Sequence, residues 1–387
     1  MTKKLYYDNS YLTVCDANIL EIKENDEGFD VILDQTIFYS EGGGQPWDLG
    51  TIGGLPLQYV IEKDGLIYHG LKSKPNNNSV RCELDFERRF DHMQQHSGEH
   101  LISGVFLKLL NGKNCGFHLG KEFVTIDINL SEIDKADLEK VEIEANNKIY
   151  DNERVHIYEK NSNELAELNL RKEINVEGSI RIVDMKEADI CACCGTHVNR
   201  IGEIGLIKII KTEKYKKMTR VYFKCGKRAI LDYQKKNEII SNLKNMLSAE
   251  EDELKDKLAK LLESNKELKK QVQELKISEA KREALNMIAE DNCIIEVLED
   301  KNMEDINILS NILIQEGQSF ILGASLDYSI IAYDKTGELN FGKIFKENIA
   351  RYSGKGGGSK NRSQGTFSRI EDLVEFMSYL ETIIPCK

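Results

Sequence analysis

At 387 residues, with 41% hydrophobic and 30% charged residues, the chain has the makeup of a folded protein with more than one core, which excludes a disordered chain. No apolar run approaches the length needed to cross a bilayer, and the start "MTKKLYYDNS" lacks the apolar core of a secretory signal, so the expectation is a cytoplasmic protein with no membrane partner. A net charge of −12 excludes a uniformly basic nucleic-acid binder, and nine scattered cysteines are too sparse for a secreted disulfide scaffold.

In chain order, residues 1–85 read as a β-rich, barrel-like domain. "YLTVCDANIL", "FDVILDQTIFY", "GLPLQYVIEKDGLIYHGL" and "SVRCELDF" are short alternating or apolar runs parted by Gly, Asp and Asn. A helix is predicted to begin near Phe86 and to stop at Gly112. The strand "KEFVTIDINL", the helix "EIDKADLEKVEIEANNKIYDN" and the strands "RVHIYEK", "IRIVDM" and "IGLIKIIK" complete an α+β domain over residues 86–228. Residues 229–290 hold no Gly or Pro. There Ile240, Leu247, Leu254, Leu261, Leu268 and Leu275 recur every seven positions, the seam of a long helical coiled-coil arm, with Asn265 as a polar register-setter. The partner of that seam stays open between neighbours in the chain and a second copy, which would make a homodimer through the arm or the C-terminal domain. Residues 291–387 return to a compact α/β pattern. The expected fold class is α+β.

Two pairs of equal spacing carry the chemistry. In "QQHSGEH", His96 and His100 stand four residues apart, hence on one helix face. "CACCGTHV" repeats that interval with Cys193 and His197. Three imidazoles and a thiolate suit Zn²⁺, which takes nitrogen and sulfur donors tetrahedrally. Cys191 and Cys194 compete with Cys193 as the sulfur donor, and spacing alone favours Cys193. A purely structural zinc, closed by four protein ligands, is the leading alternative. In "DQTIFYSEGGGQPWDLG", Gly42, Gly43 and Gly44 let a ligand approach the backbone, Gln45 offers an amide and Thr36 a hydroxyl. A glycine turn without a ligand is the alternative there.

Two basic tracts break the acidic background. Lys208 to Arg228 holds nine Lys/Arg against one Glu, and Lys343 to Arg369 holds seven against one. Both suit a polyanion gripped at chosen surfaces. In the second, "SGKGGGSK" would bring the amides of Gly356, Gly357 and Gly358, with Lys355 and Lys360, close to phosphates.

"TIFYSEGGGQPWDLG", "RRFDHMQQHSGEHL", "CCGTHV" followed by "TRVYFKCGKRA", and the C-terminal "GKGGGSKNRSQG" together resemble the stand-alone alanyl-tRNA editing proteins of the AlaX type, large form. They are also similar to the editing and C-terminal DHHA1 regions of alanyl-tRNA synthetase, and the likeness runs over nearly the whole chain. The resemblance implies a trans-editing hydrolase that removes serine, and secondarily glycine, from mischarged tRNA for alanine. It implies zinc on His96, His100, Cys193 and His197, Thr36 and Gln45 in the pocket with Thr36 sensing the serine hydroxyl, and a DHHA1-like nucleic-acid-binding domain over residues 291–387. Cys194 departs from the synthetase motif, which usually has glycine there. With four protein ligands the metal is expected to orient substrate, while Gln45 and the glycine-loop amides hold water or oxyanion. The rivals are a zinc-stapled tRNA-binding or dimerisation protein without catalysis, and an editing hydrolase for another misacylated tRNA. A full synthetase is excluded by expectation, because roughly the first eighty-five residues are too few for an ATP-dependent aminoacylation domain.

Overall fold

The structure, a computed structural model, describes residues 2–172, 178–288 and 293–383. Residues 1–242 and 243–387 form two compact units. Mixed helices and sheets bear out the α+β class, and no helix among the described residues is long and apolar enough to cross a membrane.

The first unit begins with a closed barrel. Strands β1 (Val14–Asn25), β2 (Gly28–Leu33), β3 (Gly50–Ile52), β4 (Leu55–Lys63), β5 (Leu66–Leu71) and β6 (Ser79–Leu84) close in the order β1-β2-β5-β4-β3-β6. Alternation does the sorting: in β6, Val80 and Cys82 turn inward while Ser79, Arg81 and Glu83 face water. The interior is filled by Val31, Leu33, Phe38, Ile52, Val60 and Ile67 among others, and closure leaves no sheet edge exposed to mispairing.

One polar chain runs through this apolar wall. Phe38 N donates to Thr36 Oγ1 at 3.1 Å, Thr36 Oγ1 lies 2.8 Å from His69 Nε2, and His69 Nδ1 lies 2.9 Å from the Val31 carbonyl. A neutral ring satisfies every member: Nδ1–H donates to Val31, and Nε2 accepts from Thr36. Burial pushes the His69 pKa down from 6.5 to about 4. The folded value lies below the unfolded one, so the neutral ring stabilises the barrel fully above pH 6.5, and that contribution is lost as pH falls through about 4. Urea titrations between pH 7 and 4 are therefore expected to show a loss of unfolding free energy that His69→Gln reduces. Equal slopes for the two proteins would reject the assignment.

Helix α1 (Phe86–Leu110) follows the barrel directly. Asp85 caps it by accepting from Arg88 N, and Asn111, in the left-handed region, ends it beside the predicted stop at Gly112. Every residue from His92 to Phe106 is buried, so the helix is a central rod and not a surface helix with one polar face. Its polar side chains dock it. Gln95 bonds both backbone groups of Cys225, at 3.0 and 2.9 Å. Arg89, fully buried, donates to Asp48 and to the carbonyls of Ser10 and Ile37, tying the helix to the barrel.

Around α1 lie β7 (Asn114–Leu119), β8 (Val124–Ile128), α2 (Lys135–Asp151), β9 (His156–Asn161), β10 (Ser179–Asp184), β11 (Ile190–Ala192), β12 (Ile207–Tyr215) and β13 (Met218–Cys225). They build a four-stranded antiparallel sheet in the order β12-β13-β8-β7 and a three-stranded sheet β9-β10-β11.

Helix α3 (Gly226–Leu247) opens the region predicted as a helical arm, and α4 (Leu254–Ile288) follows it after a break. Ser248 takes φ +47°, and Glu250 and Glu253 form a capping box that starts anew. The run "AEEDE" is the physical reason, since acidic side chains favour a helix N-terminus. The heptad pattern alone did not reveal this interruption.

In the second unit, β14 (Cys293–Leu298), α5 (Met303–Gln315), β15 (Ser319–Ala324), β16 (Ser329–Tyr333), α6 (Phe341–Asn348), β17 (Lys355–Gly358), β18 (Arg362–Thr366) and α7 (Ile370–Ile383) form a sheet ordered β14-β15-β16-β18-β17. Alternation along β15 serves two cores, with Phe320 and Leu322 packing on one face and Ile321 on the other. The glycine-rich segment is the edge strand β17, paired antiparallel with β18.

Candidate metal centre and its cavity

His96 and His100 on α1 meet Cys193 and His197, which follow β11. One donor atom from each residue lies within 4.8 Å of every other, so the four could hold a single metal ion. His96 Nε2 and His197 Nε2 stand 3.4 and 3.3 Å from Cys193 Sγ. The sulfur in this group is Cys193's. Cys194 is exposed at the cavity wall, and Cys191 is buried in a second, three-residue group with His100 and Asp189.

The rings are aimed from behind. His96 Nδ1 lies 2.8 Å from Gln45 Oε1, His197 Nδ1 lies 3.1 Å from Ser97 Oγ, and His100 Nδ1 lies 2.9 Å from Asp189 Oδ2. The hydrogen bonds at His96 and His197, and the carboxylate placed beside His100 Nδ1, turn each Nε2 toward the centre, as outer partners do at metal-binding histidines. Burial pushes the Cys193 thiol up, but the three imidazoles outweigh it and hold its pKa well below the usual range. The thiolate, the ligating form, is thereby favoured. Burial lowers His197 to about 3, which keeps its ring neutral and able to coordinate. Asp189→Ala is expected to weaken metal affinity about 10–100-fold. Competition against a chromophoric chelator measures this, and an unchanged affinity would remove Asp189 from the support of His100.

A cavity of about 540 Å³ borders the centre, with His96, His100, Cys193, Gly43 and Phe117 in its wall together with Arg171, Lys172 and Arg181. Phe117 stacks on His96, ring centres 5.0 Å apart. Arg171 Nε donates to Asp189 Oδ1 at 2.8 Å and its Nη2 lies 3.4 Å from Glu99, while Nη1 is buried with no hydrogen-bond partner. Glu99 also accepts from Ser103 and Asn114. Burial pushes its carboxyl up, yet Arg171 and the neighbouring histidines leave it below the usual range.

The glycine motif is a tight turn against this wall. Gly42 and Gln45 exchange backbone bonds at 3.1 and 2.9 Å, with Gly43 and Gly44 at φ +56° and +81°. Two successive positive φ values mark a type I′ turn and call for glycine. A Cβ on Gly44 would stand 2.5 Å from Phe117 Cδ1. Gln45 is fully buried with its amide committed: Oε1 also accepts from Thr196 N at 3.2 Å, and Nε2 donates to Thr196 Oγ1 at 2.8 Å. It couples His96 to the Cys193–His197 segment. Thr36 is not among the residues lining this cavity, and its hydroxyl is engaged with His69. Lys355, Gly356, Gly357, Gly358 and Lys360 belong to the second unit, with both lysines exposed.

Sequence patterning missed Ser97, Glu99, Arg171 and Asp189, because single polar residues have no periodicity to betray them. The one available signal was that Asp189 closely precedes "CACC". The basic tract is also less free than its composition suggests. Of its nine cations, six are ion-paired: Lys208 with Glu142, Lys211 with Glu213, Arg220 with Asp127, Lys224 with Asp232, Lys227 with Glu87 and Arg228 with Asp91.

Known proteins place this arrangement. Residues 180–222, which include Cys193 and His197, match the family described as the threonyl and alanyl tRNA synthetase second additional domain. The alanyl-tRNA editing protein AlaX-L of Pyrococcus horikoshii is 32% identical over 97% of this chain and 96% of its own length. The alanine–tRNA ligase of Pyrococcus furiosus is 29% identical over 97% of this chain, which spans 43% of the ligase. The alanyl-tRNA editing protein Aarsd1 of Danio rerio is 36% identical over 64% of this chain and 61% of its own length. With a match that runs nearly end to end in both sequences, the chain belongs to the family of alanyl-tRNA editing proteins.

Proposed function

We propose that the chain is a trans-editing aminoacyl-tRNA deacylase, hydrolysing the ester that joins serine, and secondarily glycine, to tRNA for alanine in the cytoplasm. The observation that carries this reading is the convergence of His96, His100, Cys193 and His197 beside a cavity walled by cations, in a chain of this family. Zn²⁺ is the ion that three imidazole nitrogens and one thiolate suit, and when bound it supplies polarisation of an ester oxygen or acidification of water. The chain's own residues do the rest. Lys172 and Arg181 make the wall favourable to a polyanionic RNA end and to negative charge developing on the ester oxygen, while Arg171, its charge balanced by Asp189 and Glu99, offers its unpartnered Nη1–H. Gly43 lines the cavity with an amide that the turn's two bonds leave unused, suited to holding water or the oxyanion. Gln45 acts as a positioning residue through His96.

Thr36 gives its proton to His69, so it can meet a serine hydroxyl only as an acceptor. Thr36→Val is then expected to lower the preference for serine over alanine, and an unchanged ratio would remove Thr36 from substrate selection. In this reading residues 1–85 bring the glycine turn and residues 86–228 the metal ligands. The arm, 229–290, exposes Leu258, Leu261, Leu268, Val272 and Leu275 to a second copy, and 291–387 is a DHHA1-like domain that offers Lys355 and Lys360 to tRNA.

Deacylation of tRNA for alanine charged with serine, glycine or alanine tests the function. Rapid release of serine with alanine spared, abolished by a chelator and restored by Zn²⁺, is expected. No release of any of the three would leave a zinc-stapled tRNA-binding protein instead.

A further inference from the structure

We infer that the tip of the β12–β13 hairpin is a phosphate-contact site for the RNA strand whose aminoacylated end occupies the cavity. This rests on the function proposed above.

Composition alone spreads the contact over nine cations. Ion pairing selects among them, because a carboxylate within hydrogen-bond distance cancels most of a lysine's field at a phosphate beyond it. Lys214, Lys216 and Lys217 are exposed and have no carboxylate partner among the described residues. They stand together where Tyr215 pairs with Met218 and the chain reverses. The three cations left free are thus gathered at one projecting point.

The backbone there carries a cost. Lys216 takes φ +56°, a left-handed conformation that a lysine adopts only with steric strain. Asn or Gly would be at ease in it. The turn itself therefore does not call for a lysine at this position. The Tyr215 ring gathers the cluster without neutralising it: the Arg220 guanidinium stacks 3.8 Å from its centre, and Lys216 Nζ lies 5.2 Å from it.

The tip shares a sheet with the cavity. Val221 on β13 stands opposite Ile126 on β8, and Ile126 stands opposite Phe117 on β7, which lines the cavity. Met218 lies a few residues further along β13. From strand spacings, the tip is roughly 10 Å along and roughly 10 Å across from Phe117. That is near enough to hold the phosphates next to the reacting end.

The test titrates the full chain with uncharged tRNA across a range of salt. The triple variant Lys214→Gln, Lys216→Gln, Lys217→Gln is expected to lose at least about tenfold in affinity at 0.1 M salt, with a log–log salt slope flatter by about 2–3. Replacing the paired lysines by Lys208→Gln and Lys211→Gln should leave the slope close to wild type. Lys216→Asn should weaken binding while its Tm stays at or above wild type. The inference falls if the triple variant binds as wild type does, if the paired lysines flatten the slope as much, or if Lys216→Asn lowers Tm without weakening binding. A wild type that binds tRNA through these lysines yet releases no amino acid would sink the deacylase reading alone. One that deacylates while its binding ignores them would sink this inference alone.

Discussion

Cys193→Ala is expected to yield protein without a stoichiometric metal ion and with deacylation lowered by at least about a hundredfold, since removing a donor itself exceeds the loss caused by disturbing its outer partner. The reason is charge as much as geometry. Cys193 is the anionic member of the four, its thiolate favoured by three surrounding imidazoles and by the Gly195 N–H, which donates to Sγ at 3.3 Å. Without it, a dication would sit among neutral rings in a buried site, where an unpaired charge is costly. Elemental analysis of purified variants measures the effect. Cys194→Ala and Cys191→Ala are the contrasts, expected to retain metal because neither sulfur belongs to the four-residue group. If Cys193→Ala keeps its metal while one of these loses it, the sulfur ligand has been misassigned. Because the ion binds only the folded arrangement, chelation should also lower Tm, to an extent set by metal concentration.

The second large effect is on the fold. Arg89→Met is expected to destabilise the first unit by about 3–5 kcal/mol, the range for stranding one member of a buried ion pair. Arg89 and Asp48 have no exposed side-chain area. The guanidinium also satisfies the carbonyls of Ser10 and Ile37 at 2.8 and 2.7 Å, and Asp48 accepts from Tyr39 N at 2.7 Å. These bonds fasten α1 to the barrel two turns ahead of His96, at roughly 10 Å along the helix axis. Adding Asp48→Asn to Arg89→Met should recover part of the loss, because the uncompensated charge is gone. Trp47, the single tryptophan, precedes Asp48 and reports unfolding of this unit in urea. A loss below about 1 kcal/mol, the scale of an exposed pair, would show that the site is wetter than its geometry implies.

The barrel was readable because alternation along strands such as Ser79–Leu84 is a local consequence of one dry and one wet face. Helix α1 was readable at its ends, from the start near Phe86 and the stop near Gly112, but not in its surroundings. Its polar residues suggested a solvent-facing or ligand-facing side. In fact the helix is buried from His92 to Phe106, and its polar groups find partners in Cys225, Glu203 and Asp48 from distant segments. The arm was legible as helix but not in its continuity. Seven-residue spacing continues through residues 248–250 although the helix does not, because periodicity is blind to a cap.

The sequence by itself determined the α+β class, the inventory of three imidazoles and a thiolate in two equally spaced pairs, and the glycine turn. Each is a matter of residue type and short-range spacing. Only the tertiary structure decided that the two pairs meet, that Gln45, Ser97 and Asp189 aim the rings, and that six of nine basic residues are neutralised while three at a hairpin tip are not. Those outcomes depend on which side chains from segments about a hundred residues apart come within 3 or 4 Å, and hydrogen bonds and ion pairs at that range leave no periodic trace along the chain.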